Sequence, residues 1–119
     1  MKGISAYTEN EVATQAPGRV VVLLYEGAIR FLKQAIGEIQ AGQPAQKGPF
    51  IAKAVAIIEE LNTALDMEAG GEVAQNLRGL YLFMSRHLVQ ANAKNDIQMI
   101  REVISLLEDL NGGWKAIVG

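Results

Sequence analysis

Four apolar stripes with a 3.6-residue period, cut apart by glycine and proline, constrain this 119-residue chain more than any other feature. Pro17 suits the first position of a helix, where its missing N–H costs nothing, and predicts a first helix over about 17–41. Gly42-Gln43-Pro44 ends it. Ile51, Ala54, Ile58, Leu61 and Leu65 carry a second helix over about 50–67, closed by Gly70-Gly71. The third, over about 71–93, has Glu72 at its positive end and Val73, Leu77, Leu80, Tyr81, Met84 and Leu88 on one face. Asp96 is a suitable N-cap for the fourth, over about 96–117, which carries Ile97, Ile100, Val103, Ile104, Leu107, Leu110 and Trp114. Short connections make neighbouring helices antiparallel. The expected fold is therefore all-α, an up-down-up-down four-helix bundle over 17–119, preceded by a leader over 1–16 that is flexible or docked.

The stripes are wider than a bundle needs. On the first helix the apolar side chains from Val20 through Phe31, Leu24, Ala28, Leu32 and Ile29 to Val22 span about 200° of arc, against about 100–140° for a core-facing stripe. On the third helix Leu82 and Val89 lie off the stripe of Leu77, Met84 and Leu88. On the fourth, Met99 and Leu106 widen the arc on one side. Wide arcs also arise from a thick core with exposed edges. Three such helices beside a polar leader with isolated Ile4, Tyr7 and Val12 point to an interaction surface. Gly27 and Gly79 stand inside helices, where a close backbone approach and a tolerated solvated position are the two readings.

Composition removes other classes. A net charge of −2, with no basic stripe, argues against nucleic acid as a partner. Without cysteine there is neither a disulfide framework nor a thiolate metal site. The longest apolar run, Val20 to Tyr25, is too short to span a bilayer, and the cytoplasm is the expected location. His87 is the only histidine and Met84 stands three positions before it, so the Glu-x-x-His pairs of di-iron bundles are missing. No nucleophile and base pair up from this inventory, and Gly70-Gly71-Glu72 lacks phosphate-loop spacing. The expectation is a protein that is not an enzyme and uses no cofactor.

Several stretches resemble the FliS family, the flagellin-specific chaperones of bacterial flagellar export. They are Gly3-Ile4-Ser5-Ala6-Tyr7, then Leu24 to Leu32, then Leu65 to Leu77 with Leu80-Tyr81. Leu88-Val89-Gln90-Ala91-Asn92, Asn95-Asp96, Leu106-Leu107 and Trp114-Lys115 continue the match in order along the chain. Leu82 and Phe83 stand where the family commonly has Asp and Tyr, His87 where it has Arg, and Ala16 where Ser or Thr often caps the first helix.

The resemblance implies a cytosolic bundle that binds the disordered C-terminal segment of flagellin, prevents its early polymerisation and helps deliver it to the export gate component FlhA. Candidate client and gate residues are Ile4, Tyr7, Val22, Tyr25, Ile29, Leu82, Val89, Met99 and Leu106. In the family the leader's matching isoleucine and tyrosine pack over the empty client groove and then help engage the gate. The oligomeric state of the free form stays open. A structural bundle that spends its surplus faces on self-association is the alternative.

Overall fold

The computed structural model describes residues 11–118. Four long helices make up most of it: α1 (Gly18–Gln40), α2 (Lys47–Thr63), α3 (Gly71–Lys94) and α4 (Ile97–Val118), with a 3-10 turn at Pro44–Gln46. No strand occurs among the described residues beyond an isolated bridge between Thr14 and Leu65. The fold is all-α. The helices form a ring in which α1 packs on α2 and α4, and α3 packs on the same two. Gly18 faces Val118, Glu26 lies near Lys115 and Lys33 near Glu108, so α1 and α4 run in opposite directions.

Each helix ends for a local reason. At the end of α1, Gly42 takes φ 77°, a conformation glycine adopts without a Cβ penalty. There the Gln43 amide donates to the Glu38 carbonyl (2.9 Å) and the Gly42 amide to Ile39 (3.1 Å), a Schellman closure of two otherwise orphaned carbonyls. Asn95, at φ 53°, closes α3 in the same left-handed region, with the Asp96 amide donating to Ala91 at 3.0 Å. Asp96 then starts α4: its Oδ1 accepts from the Met99 amide at 3.1 Å, as an N-cap does.

Two helix boundaries differ from expectation. Pro17 is the cap residue before α1 rather than its first residue, and its carbonyl accepts from the Val21 amide at 3.1 Å. More consequentially, α2 runs over Lys47–Thr63 instead of about 50–67. Pro49 is accommodated because first-turn amides have no helical partner to lose. The C-terminal end stops early because the chain after Thr63 is held by the leader. The Gln15 amide donates to Ala64 O (2.8 Å) and the Asp66 amide to Ala13 O (2.7 Å), which takes this backbone out of the helix. Ala13 is fully buried there, so residues 13–15 dock across the connection between α2 and α3.

The core is one cluster drawn from all four helices. Its largest fully buried members include Tyr25 and Leu32 of α1, Ile58 of α2, Tyr81, Met84 and Leu88 of α3, and Ile100, Leu107 and Trp114 of α4. Each aliphatic side chain so buried contributes about 1.5–3 kcal/mol relative to exposure. Gly27 is buried, and a Cβ there would meet Ile57 Cδ1 of α2 at 3.4 Å, an ordinary contact distance; a Cβ at Gly79 would meet nothing within 4 Å. Of Gly27 and Gly79, only Gly27 therefore stands at a helix contact.

Candidate functional site

The surplus apolar residues fall into three groups once the helices are packed. Val22 and Tyr25 are core, at 8% and 0% exposure, so neither belongs to a surface as the structure stands. This corrects their expected place on a client face, and the reason is angular: both lie on the side of α1 that faces the bundle axis with Ala28 and Leu32. Ile29, Met99 and Leu106 are half-buried at the edges of the core. Leu82 and Val89 are exposed, at 44% and 63%. Ile4 and Tyr7 lie outside the described residues.

Val89 sits in a groove between α2 and α3. Ile51, Ala52, Val55 and Ala56 supply the α2 side, and Glu59, Arg86, Gln90 and Asn92 bring polar groups to its margins. Leu82 is one heptad before Val89 on α3, so the two project in nearly the same direction, displaced by about 20°. Sequence reasoning omitted Val55, because its spacing on α2 reads as the edge of a core stripe. Only the position of α3 turns that edge into a groove wall.

A second groove separates α3 from α4, lined by Phe83, Gln98, Arg101, Glu102, Ser105, Leu106 and Asp109. Beside it Glu102 Oε2 accepts from His87 Nε2 at 2.8 Å, and Phe83 stacks on the imidazole with ring centroids 4.8 Å apart. His87 thus has a partner on the neighbouring helix. No cluster of three or more His, Cys, Asp or Glu side chains that could hold a metal forms among the described residues.

The third groove lies between α1 and α4. Glu26, Ile29, Arg30, Lys33 and Gln34 line it from α1, and Glu108, Asn111 and Lys115 from α4. Loose ion pairs cross it, Lys33 to Glu108 at 3.8 Å and Lys115 to Glu26 at 4.0 Å, with all four side chains about half exposed or more. Asn111 differs from its neighbours. It is 2% exposed, and neither its Nδ2 nor its Oδ1 has a hydrogen-bond partner.

Behind these grooves the bundle holds a buried polar pair. The Tyr25 and Tyr81 hydroxyls are 2.7 Å apart, joining α1 to α3 across the core, with the rings edge to face at 6.4 Å. Burial pushes the pKa of Tyr25 above its ordinary 10.0, opposed in part by hydrogen bonding to Tyr81 and by the Trp114 indole. Tyr81 is also pushed up, by burial first and by the Tyr25 hydroxyl second. The Trp114 Nε1–H is close enough to influence Tyr25 but has no partner in hydrogen-bonding geometry.

Such a molecule, a helical core bordered by grooves with apolar side chains left in them, has the surface of a binding protein. Comparison with known proteins specifies which kind. The family model described as "Flagellar protein FliS" matches residues 1–119, and the chain belongs to the FliS family, a family of chaperones and not of enzymes. The chain is 40% identical to the flagellar secretion chaperone FliSB of Pseudomonas aeruginosa, covering 98% of this chain and 96% of that protein. Identity is 40% to the flagellar secretion chaperone FliS of Salmonella typhimurium (97% and 89% covered) and 35% to that of Bacillus subtilis (96% and 84%).

Proposed function

We propose that this protein is a cytosolic export chaperone that binds the disordered C-terminal segment of flagellin, prevents its early polymerisation and aids its delivery to the export gate, through FlhA. Whole-chain membership of a family whose curated relatives are named flagellar secretion chaperones carries this reading. The surface supports it physically. Val55 and Val89 leave apolar side chains in the α2–α3 groove, and Leu82 is exposed one heptad before Val89 on α3, so amphipathic segments of a client can lay their own apolar faces there. A disordered client wraps a large area and spends part of the interaction energy on becoming ordered, so the complex is releasable at export. No helix among the described residues is long and apolar enough to cross a membrane, in keeping with a chaperone that reaches the gate from solution.

The decisive experiment titrates the purified protein with the C-terminal segment of flagellin from the same genome, with mass measured over a range of concentrations. The expected result is a monomer that forms a 1:1 complex. Absence of binding together with concentration-dependent self-association would replace this reading with that of a self-associating structural bundle.

A further inference from the structure

We propose that the α1–α4 groove is a main-chain recognition site, in which the Asn111 amide hydrogen-bonds the peptide backbone of an extended stretch of the client. The proposal rests on the client-binding reading above and assigns to it a contact by chemical type. Asn111 lines the groove almost fully buried, with its Nδ2 amino group and its Oδ1 carbonyl oxygen unsatisfied side by side. Buried polar groups are nearly always paired, and an unpaired one costs the desolvation it has undergone.

The chemistry of the amide selects its partner. A phosphate or carboxylate only accepts and an ammonium only donates, so each would leave half of the Asn111 amide unpaired. A group that offers a donor and an acceptor together on one edge is required. The N–H and C=O of a single residue in an extended chain meet that requirement, as they do when two strands exchange both bonds between a residue pair. The rim agrees with a neutral ligand. Glu26 and Glu108 stand against Arg30, Lys33 and Lys115, leaving one positive charge spread over the groove.

Access requires the rim to open. The two ion pairs over the groove are at the limit of contact and well exposed, and such pairs hold their side chains weakly. Lys33 and Lys115 line the same groove as Asn111 and are the rim side chains that would move aside. Recognition through main-chain atoms imposes no side-chain preference at that point, which suits a chaperone that also offers its client apolar contacts.

The test compares the wild-type protein with Asn111→Leu and Asn111→Ser. Thermal unfolding of the free proteins first establishes that each is folded; Asn111→Leu should melt no lower than wild type, because it removes two unsatisfied groups at similar volume. Affinity for the flagellin C-terminal segment should fall about tenfold or more in both variants. A backbone N-methyl scan of a synthetic client segment should contain one position that weakens wild-type binding about tenfold and leaves Asn111→Leu unaffected. Client binding unchanged in both folded variants, or an N-methyl scan without a position coupled to Asn111, overturns the proposal while leaving the chaperone reading intact. A wild-type dimer that Asn111→Leu converts to monomer also overturns it, by showing that the occupant is a second copy. Failure of wild type to bind the segment at all refutes the chaperone reading instead.

Discussion

At the scale of single residues, the buried Tyr25–Tyr81 pair is a polar contact placed among apolar neighbours from α1, α3 and α4. Replacing one partner leaves the other hydroxyl buried and unpaired. Tyr25→Phe should therefore cost about 1–3 kcal/mol, and Tyr25→Phe with Tyr81→Phe should cost less than the sum of the two single changes. Denaturant unfolding of the three variants checks this. The pair also has a pH signature. Both folded-state pKa values lie above the ordinary 10.0 of an unfolded tyrosine, so the native state keeps protons that the unfolded state releases. Stability from these groups is fully present below about pH 10 and is lost as pH rises from there toward the folded values. Wild type should lose stability more steeply than the double Phe variant above that pH, and parallel curves would show that the hydroxyls do not carry the effect.

At the scale of elements, the connection between α2 and α3 is where the leader is tied down. Ala13 packs against Gly70 so closely that a Cβ on the glycine would lie 2.6 Å from Ala13 Cα, 2.7 Å from Ala74 Cβ and 2.7 Å from the Asp66 carbonyl oxygen. Two of those neighbours are backbone atoms, which cannot swing away. Gly70→Ala should destabilise the protein by about 1–3 kcal/mol and should expose residues 11–16 to protease before the helices unfold. A variant as stable as wild type, with an equally protected leader, would show that the backbone there shifts at little cost. The same connection explains the early end of α2. Leu65 follows the helical spacing of Ile58 and Leu61 and is buried as that spacing implies, yet it sits in the bridge to Thr14. A residue can satisfy a helical apolar pattern from a turn just beyond the helix.

At the scale of the whole molecule, the division between core and groove decides what a mutation does. Leu82→Ser with Val89→Ser should change thermal stability little, because both side chains are exposed already, while weakening flagellin binding clearly. Leu107→Ala, at a fully buried position, should cost about 2–5 kcal/mol of stability. Calorimetric melting beside a client titration separates the two classes, and a large loss of stability in the Leu82/Val89 variant would return those residues to the core.

Periodicity and punctuation in the sequence were enough to determine four helices, their approximate ends and most of the buried face, because a 3.6-residue stripe has to be buried and glycine or proline breaks the ladder between stripes. Leu77, Met84, Leu88, Ile100, Leu107 and Trp114 were all legible in this way. Ordered motifs along the chain likewise carried the resemblance to the FliS family. Three things were decided only by packing. An arc of about 200° on one helix does not say which of its edges a neighbour covers, and the positions of α2 and α4 put Val22 and Tyr25 inside while leaving Val20 and Leu23 in water. Asn111 reads as a polar interruption of the α4 stripe, and only the close approach of α1 turns it into a buried, unpartnered amide. The end of α2 was set by hydrogen bonds from a segment about fifty residues away, a competition that no local pattern contains.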